Sequence, residues 1–568
     1  MGRRTAPQSR AHLLRAHHLL LGVCGAFAAL SLVLVPLTLP LGWDETVYAS
    51  RFSPYAPATP FSAPRTRGVP FLIAPVAAWS DSVVLLRVWL TLLATAALYL
   101  GFRPWVRPLG RPSAAAVAAA LYGGLWFVLF YASAAMPNHY TAMGAVGAVG
   151  LFLRSRQSPM TRAGVSGGLA LATLMRPNDG LALGVPLLAA ALLVPAWRGW
   201  SRALAVLGGL VAGALPWIVE AYVRFGGVGA RLTEASEVQG DLRPLLSVVH
   251  HLTVMDGPLL CRPCDSDSIR PLSAEWWLVL PLLVTVGLWS AHGGSRRTRR
   301  ATREARRTDR EARRMDREAR RTDREARRMG REARRTGREA RRTGREARRM
   351  GREARRMAHA AHPELRNGPP QPADTTPLRA CLLAAVTALS VALPYLALVP
   401  YAAPRFLTPT HALLAPAAAL GLLALVDVAR ASRPPRIGFA ALGLAFAGHL
   451  AVQLPLANSN AGIQAGARGD WARVAEVLHE HGVGAGTRND RTSRSSRSGT
   501  PPPCVLRGNT SVIPVAYATG CAPGRTGDPR SPTALVLREA EPPSWARSWP
   551  RHRVPDTYAP GWVVHVRP

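Results

Sequence analysis

The chain contains no lysine, so arginine alone carries its formal net charge of +36. Acidic residues are also scarce, with 34 Asp and Glu against 70 arginines. Such an excess can indicate binding to nucleic acid or to anionic lipid. Most of the arginines, however, fall in loops that alternate along the chain and in one repeat. Membrane topology explains this charge more economically, so we expect membrane lipids and no nucleic acid as partners.

The N-terminus lacks the features of a cleaved signal peptide. Its first apolar run, from Leu19 to Leu41, is longer than a signal-peptide core, and no Ala-x-Ala sequence ends it. Basic residues between Arg3 and Arg15 precede the run. We interpret it as a retained first span with a cytoplasmic N-terminus.

Long apolar runs are abundant, and 48% of the residues are hydrophobic. A helix needs about 20 apolar residues to cross the hydrocarbon core of a bilayer, and about eleven runs approach that length. The two runs beside Arg176 are short. The candidate spans are Leu19 to Leu41, Val83 to Phe102, Ser113 to Ala134, Tyr140 to Leu153, Ala163 to Met175, Leu181 to Val194, Ala203 to Tyr222, Trp276 to Ala291, Cys381 to Tyr401, Phe406 to Val428 and Ile437 to Leu456. They predict an all-α polytopic membrane protein.

Arginine positions orient the predicted spans, because short cytoplasmic loops carry an excess of positive charge. Every arginine-rich connection falls on the side of the N-terminus: residues 103–111, 154–162, 198–202, 296–366 and 430–436. The other side receives the loops 42–81 and 223–275 and the C-terminal tail. We predict a multi-pass protein of a bacterial plasma membrane whose C-terminus is extracytoplasmic.

An arginine-rich repeat occupies the predicted cytoplasmic insert, residues 292–377. Eight heptads from Thr302 to Met357 follow the pattern x-R-E-A-R-R-(T/M). This low-complexity sequence has a helical period, but Ala and Thr bury little surface and each Gly costs about 1 kcal/mol in a helix. A solvated, partly helical insert is the favoured interpretation. Attraction to anionic headgroups is the alternative.

The residues after Leu456 predict a separate domain. The transmembrane domain is expected to occupy residues 1–456, and a small extracytoplasmic α/β or α+β domain residues 457–568. In that tail we predict a helix from Trp471 to His481, a linker through Pro503, and short strands at Val505–Leu506, Val512 to Tyr517, Leu535 to Leu537 and Val563 to Val566.

Four of the six cysteines lie on the predicted extracytoplasmic side, namely Cys261, Cys264, Cys504 and Cys521. An even set of cysteines in an oxidising compartment favours disulfides that staple loops. Zinc binding by Cys261 and Cys264 with two further ligands is the alternative.

Two adjacent carboxylates, Asp44 and Glu45, open the first extracytoplasmic loop at the end of the first span. Ionisable groups near the apolar zone are expensive to desolvate and tend to be functional. A carboxylate there could accept a proton from a hydroxyl or hold a metal. In the alternative interpretation Asp44 caps a helix and Glu45 lies in its electropositive first turn.

Arginines and histidines at the ends of spans are further candidates. A guanidinium is planar and permanently charged and can donate two hydrogen bonds at once to a phosphate, which suits Arg405 and Arg176. Snorkelling towards headgroups is the alternative for both. His139 is a pocket candidate, although a lone interfacial His is usually a hydrogen-bonded bystander. His250 and His251 lack a fixed ligand spacing, so the identity of any divalent metal stays unknown.

Several short motifs together resemble the GT-C superfamily of integral-membrane glycosyltransferases, in particular the branch of protein O-mannosyltransferases and aminoarabinose transferases. The motifs are Trp43-Asp44-Glu45, Arg176-Pro177-Asn178-Asp179 and Arg405-Phe406-Leu407-Thr408-Pro409. The resemblance covers roughly Gly42 to Leu456. It implies that Asp44 is the catalytic base, that Glu45 supports it and that Arg405 faces the donor phosphate. It also makes Arg67 and Asp179 pocket candidates, although Arg67-Gly68-Val69-Pro70 departs from the family's His-Pro-Pro-Leu.

The resemblance predicts transfer of a sugar from a polyprenyl-phosphate donor to an extracytoplasmic hydroxyl acceptor of the cell envelope. A transporter or lipid flippase is the main alternative, but the notable charges lie at span ends and the sequence shows no internal duplication. A non-catalytic membrane scaffold would leave the acidic pair unexplained.

Overall fold

The computed structural model of the chain describes residues 7–155, 157–264, 274–332, 349–350, 376–484, 504–524 and 531–568. The chain divides into two compact units, one of residues 1–288 with 379–568 and one of residues 289–378. Most of the repeat after residue 332 and the predicted linker before residue 504 lie outside the described residues. The described part of the second unit is mostly helical, with i,i+4 ion pairs such as Arg320 to Asp316 at 2.9 Å.

Helices form most of the first unit. In chain order they are α1 Pro7–Leu34, α2 Trp43–Ala49, α3 Gly68–Ala77, α4 Val83–Phe102, α5 Ala114–Gly123, α6 Trp126–Tyr131, α7 Asn138–Phe152, α8 Pro159–Met175, α9 Pro177–Leu193, α10 Trp200–Phe225, α11 Val228–Val238, α12 Val248–Thr253, α13 Glu275–Glu332, α14 Pro377–Ala397, α15 Thr408–Ala431, α16 Pro435–Glu480 and α17 Val512–Thr519. Helix α13 continues into the second unit.

Seven of the described helical segments are long and apolar enough to cross a bilayer: Ala11–Leu34, Val83–Val106, Trp200–Phe225, Glu275–Gly294, Pro377–Ala397, Pro404–Ala431 and Pro435–Glu480. Shorter apolar helices are Gly68–Ala77, Ala114–Gly123 and Pro177–Leu193. The chain is therefore a mostly helical, multi-pass membrane protein.

One predicted span is broken. The run from Ser113 to Ala134 forms two helices, α5 and α6, because the chain leaves helical geometry at Leu125. Gln453 of α16 accepts a hydrogen bond from the Trp126 backbone N–H at 2.9 Å. A polar side chain from a neighbouring helix thus satisfies a backbone group that the break would otherwise leave unpaired.

Small residues let the membrane helices approach closely. A Cβ added at Gly144 of α7 would lie 2.6 Å from the Gly168 carbonyl oxygen of α8. A Cβ at Gly421 of α15 would lie 2.0 Å from the Leu283 carbonyl oxygen of α13. Backbone-to-backbone packing at glycine is typical of helix association in bilayers, where the hydrophobic effect contributes little.

The C-terminal residues form a small mixed sheet of five strands: β1 Val505–Gly508, β2 Ala522–Pro523, β3 Ala534–Arg538, β4 Arg551–Arg553 and β5 Trp562–Val566. The strand order is β2-β1-β3-β5-β4, with β2, β1 and β3 parallel and β5 antiparallel to β3 and β4. The run from Val512 to Tyr517, predicted as a strand, is helix α17, which ends at Gly520 in the left-handed conformation that glycine adopts readily.

Helix α16 connects the membrane helices to this sheet without a break at residue 456, where a domain boundary was predicted. The predicted helix from Trp471 to His481 is the last part of α16. Asp470 accepts hydrogen bonds from the backbone N–H groups of Tyr558 (2.6 Å) and Ala559 (2.9 Å) and from the Trp562 indole (3.2 Å). These bonds fix the sheet to the end of the helix.

A disulfide joins Cys504 and Cys521, which are 17 residues apart. Replacing both with Ser should lower the free energy of unfolding of the C-terminal sheet by about 3 kcal/mol, because a disulfide restricts the unfolded chain. Thermal unfolding with and without reductant measures the effect. Reductant should destabilise the native protein more than the double variant, which keeps only the Cys261–Cys264 disulfide. Free thiols at both Cys504 and Cys521 in non-reduced peptides would contradict the assignment.

Candidate active site

Helix α2 presents the acidic pair. Gly42, in an extended conformation, is the N-cap, so Asp44 and Glu45 occupy the first turn. The Gly42 N–H donates to Glu45 Oε2 at 2.7 Å. The alternative in which Asp44 caps the helix is therefore wrong: Glu45 satisfies the capping donor and leaves the Asp44 carboxylate for other contacts.

Glu45 is buried in a network of donors, with 3% of its side chain exposed. Its Oε1 accepts from Arg87 Nη1 and from the Ala135 N–H (2.8 Å), and its Oε2 accepts from Arg87 Nη2 and Arg468 Nη1, both at 3.0 Å. Burial raises the pKa of the Glu45 carboxyl, but the charges of Arg87 and Arg468 and the hydrogen bonds outweigh it and lower the pKa to about 2. Glu45 therefore stays ionised and holds α2 in place.

Arg87 completes this network from helix α4. Its side chain is fully buried and also donates to the backbone carbonyls of Leu39, Pro40 and Ser133. A buried charge is tolerated only when it is paired and hydrogen-bonded, as it is here.

A cavity of about 260 Å³ opens beside the acidic pair. Asp44, Tyr131 and Arg405 line it together with three residues of α16, namely Gln464, Arg468 and Trp471. Pro258, Leu259 and Leu260 form another wall. The cavity thus combines a carboxylate, guanidinium groups and an aromatic surface.

Asp44 is the more exposed member of the pair, with 31% of its side chain accessible. Its Oδ1 accepts from Arg65 Nη2 at 2.6 Å, and its Oδ2 lies 3.8 Å from Arg405 Nη2. Arg405 also donates from Nη1 to the Leu259 carbonyl (2.9 Å) and to the Tyr131 hydroxyl (3.2 Å). Asp44 therefore retains accepting capacity towards the cavity, beside a guanidinium that protein contacts hold in place.

Arg176 is a second guanidinium close to the Phe406 ring. The guanidinium carbons of Arg405 and Arg176 are 5.4 and 5.3 Å from the centroid of the Phe406 ring. Arg176 Nε is 3.5 Å from Asp179 Oδ2, and the Tyr395 hydroxyl donates to Asp179 Oδ1. Asp179 thus supports Arg176 and does not line the cavity.

The pKa of the Tyr48 hydroxyl is affected by all of these nearby charges. Burial and the Asp44 charge raise the pKa of Tyr48 to about 12, although Arg65, Arg176 and Arg405 act in the opposite direction. Four charged groups thus lie within electrostatic range of one hydroxyl. The three guanidiniums carry one positive charge more than the carboxylates of Asp44 and Asp179 can balance. The region is therefore positive, which suits a phosphate group.

Arg176 and Asp179 are not among the cavity-lining residues, and two further sequence candidates also lie outside the lining. Arg67 donates from Nη2 to Glu220 Oε1 at 2.5 Å. His139 is buried, with its ring nitrogens 3.0 Å from the Tyr122 hydroxyl and from the Ala94 carbonyl oxygen. Neither is among the cavity-lining residues of the described chain.

Metal ligands are not grouped in the described ranges. No set of three or more His, Cys, Asp or Glu side chains there is close enough to hold a metal ion. Cys261 and Cys264 form a disulfide, and the Cys261 N–H donates to the Ala402 carbonyl at 3.0 Å. These contacts fix the loop that supplies Leu259 to Arg405.

Arg65, Arg87, Arg468 and Trp471 are the site residues that the motifs did not indicate. Arg87 had a usable signal, because it is a lone charge near the start of an apolar run, and such residues are usually functional or paired with a named partner. Arg468 and Trp471 had none, since they follow the last span by more than ten residues and reach the cavity only because α16 is continuous.

Solved membrane-protein structures have a related architecture. ArnT from Cupriavidus metallidurans bound to undecaprenyl phosphate matches with a TM-score of 0.51 and 13% identity, over 96% of this chain and 97% of that one. ArnT is a GT-C membrane glycosyltransferase, and this chain shares its fold. The resemblance seen in the motifs is thereby confirmed at the level of fold.

Two further structures match this GT-C fold less well. They are ArnT from C. metallidurans in the apo state (TM-score 0.48, 12% identity, 96% of each chain) and the archaeal oligosaccharyltransferase AglB from Archaeoglobus fulgidus, in complex with an inhibitory peptide and a dolichol-phosphate (TM-score 0.47, 13% identity, 91% of this chain). The chain spans 65% of the length of AglB. No protein-family model and no curated protein sequence matches the chain.

Proposed function

We propose that this chain transfers a sugar from a polyprenyl-phosphate donor to a hydroxyl acceptor of the cell envelope, which can be a glycan, a lipid or a protein. The observation that carries the proposal is the placement of an accessible carboxylate, Asp44, 3.8 Å from the Arg405 guanidinium in one cavity. The GT-C fold shared with ArnT, which was crystallised with undecaprenyl phosphate, supports a lipid phosphate as the donor's carrier.

In this reaction the acceptor hydroxyl attacks the anomeric carbon of the sugar while Asp44 takes up the hydroxyl proton. The bond between the anomeric carbon and the phosphate oxygen breaks, and polyprenyl phosphate leaves with the bonding electrons. Arg405 stabilises the charge that develops on the phosphate, because its guanidinium is already oriented by Tyr131 and Leu259. Arg176, whose guanidinium carbon is 5.3 Å from the centroid of the Phe406 ring, adds positive charge nearby.

Glu45 acts as a positioning residue in this proposal. It contacts Arg87, Arg468 and the Gly42 amide and has little exposed surface, so it orients the turn that carries Asp44. The predicted role of Glu45, support of Asp44, is in this proposal to hold the turn in place and not to transfer a proton.

The proposed orientation places the N-terminus in the cytoplasm of a bacterium and the cavity and C-terminal sheet outside the plasma membrane, with about eleven spans in residues 1–456. The sheet and the end of α16, within residues 457–568, form the extracytoplasmic part. In this arrangement the polyprenyl tail stays in the bilayer while its phosphate reaches Arg405.

A transfer assay tests the proposal. Purified protein in proteoliposomes is incubated with polyprenyl-phosphate-linked sugars and hydroxyl acceptors, and free polyprenyl phosphate and glycosylated product are measured. We expect the two products in equal amounts. Movement of intact donor across the bilayer without cleavage would instead identify a transporter or flippase.

Arg405→Gln should raise the KM for the lipid-linked donor roughly tenfold or more, because one charge-assisted contact to phosphate is lost. Arg405→Lys should recover only part of the loss, since an ammonium cannot donate two parallel hydrogen bonds. Arg430→Gln is the matched control, because Arg430 is exposed and pairs with Asp427 away from the cavity. An unchanged donor KM in Arg405→Gln would remove this arginine from the phosphate site.

A further inference from the structure

A second group of arginines surrounds Glu220 in helix α10. Glu220 Oε1 accepts from Arg67 Nη2 (2.5 Å) and Arg224 Nη1 (3.2 Å), and Oε2 accepts from Arg231 Nη2 (3.1 Å). Arg231 is fully buried and also donates to three backbone carbonyls. One carboxylate is therefore shared by three guanidiniums, and the group as a whole is positive.

Arg51 lies beside these three arginines as a fourth guanidinium, and Glu220 does not accept a hydrogen bond from it. Its guanidinium carbon lies 5.2 Å from the centroid of the Phe61 ring, and that of Arg67 lies 4.6 Å from the same centroid. The Arg51 Nε and Nη2 atoms are buried, and none of the described residues accepts a hydrogen bond from them. Burial, together with the charges of Arg67 and Arg224, lowers the pKa of Arg51 to about 10.

Buried donors without acceptors are costly and are usually satisfied by water, an ion or a ligand. The local charge is positive, so the missing acceptor should be an anion. Arg51 donates from two neighbouring nitrogens, an arrangement that matches two oxygens of a phosphate. Arg51 as a residue is only partly buried, so its side chain reaches the protein surface next to the two unpaired nitrogens.

Exposed apolar side chains flank the cluster. Phe52 follows Arg51 directly, and its ring lies 6.4 Å from that of Phe71, which is half exposed. Tyr222 and Val223 precede Arg224 in the last turns of α10 and are largely exposed. Apolar surface next to a basic cluster at the end of a span fits the boundary between acyl chains and headgroups.

From these contacts we propose a second phosphate site at Arg51, with Arg67 and Arg224 beside it, that binds the headgroup phosphate of an anionic membrane lipid. None of these arginines lines the cavity, so the site is distinct from the one assigned to the sugar donor. The proposal does not depend on glycosyl transfer, because it concerns binding alone.

Binding to purified protein in detergent tests the site. The probes are short-chain phosphatidylglycerol, the diacylglycerol of the same chain length, inorganic phosphate and a polyprenyl phosphate, measured by native mass spectrometry and thermal shift. Arg51→Gln should weaken phosphatidylglycerol binding about tenfold and leave diacylglycerol binding unchanged. If Arg51→Gln also weakens the binding of inorganic phosphate, the phosphate alone is recognised. If it weakens only the binding of phosphatidylglycerol, the acyl chains contribute as well. Both results support the site.

Two further variants keep the result interpretable. Arg243→Gln, at an exposed arginine outside the cluster, should bind phosphatidylglycerol as the native protein does. Arg51→Lys keeps the charge and should bind with intermediate affinity at an unchanged melting temperature. Native-like phosphatidylglycerol affinity in folded Arg51→Gln would overturn the proposal. So would a loss confined to polyprenyl phosphate, because Arg51 would then belong to the donor site.

Discussion

Asp44→Asn should lower sugar transfer by on the order of a hundredfold or more, while expression, folding and donor binding stay near those of the native protein. Asparagine has nearly the same size and can still accept the hydrogen bond from Arg65 Nη2. What it cannot do is take up the proton of the acceptor hydroxyl. The rate of transfer from a lipid-linked sugar, measured at saturating donor, reports this loss directly.

Asp427→Asn is the matched control for this change. Asp427 is also a partly exposed carboxylate paired with arginines, Arg111 and Arg430, but it is not among the cavity-lining residues. Its substitution should leave transfer unchanged. Full activity in Asp44→Asn would mean that Asp44 only positions Arg65, and the case for a transporter would then regain weight.

Arg87→Ala should lower the free energy of unfolding by about 3–5 kcal/mol, because it leaves the Glu45 carboxylate buried with only part of its pairing. The change also removes donors from the carbonyls of Leu39, Pro40 and Ser133. Thermal unfolding in detergent, followed by tryptophan fluorescence, measures the effect. The control Arg430→Ala removes an exposed ion pair and should cost less than about 1 kcal/mol.

The double variant Glu45→Leu with Arg87→Leu separates charge from packing. It should be more stable than Arg87→Ala alone, because it removes the buried carboxylate that Arg87→Ala leaves partly unpaired, and Arg468, which loses Glu45, still donates to the Pro40 carbonyl and to Gln464. Equal destabilisation in the single and double variants would show that packing, not the unpaired charge, dominates.

The stability that Glu45 supplies also depends on pH. Its pKa is lowered from 4.5 to about 2 in the folded protein, so its contribution is complete above about pH 4.5 and is lost as the pH falls towards 2. Arg87→Ala should reduce this acid dependence as well.

The sequence predicted the helical membrane class from local signals, and it named Asp44 and Arg405 as site candidates because the short motifs that contain them resemble GT-C motifs. Apolar runs are long enough to be recognised singly, and the charged motifs stand at their ends. Which charged side chains pair with each other could not be predicted from local signals. Glu45 and Arg87 are 42 residues apart, and Glu45 and Arg468 are 423 apart, so their pairing depends on how the helices pack.

Failures of prediction also have local causes. Val512 to Tyr517 alternates too little to distinguish a short buried strand from a buried helix, and the tertiary contacts of α17 decide in favour of helix. The break between α5 and α6 was missed because the run carries no charged residue on either side of Gly123 and Gly124, so it resembles one continuous span. The acceptor that compensates the break, Gln453, lies in a distant helix.

Helix α16 contacts the C-terminal sheet and also lines the cavity. Pro455 has no N–H to donate, so the helix is weakest in bending at that point. Beyond it, one continuous segment carries Arg468 and Trp471 on the cavity wall and Asp470 under the sheet. The position of the sheet and the positions of Arg468 and Trp471 in the cavity wall are therefore set by the same stretch of helix.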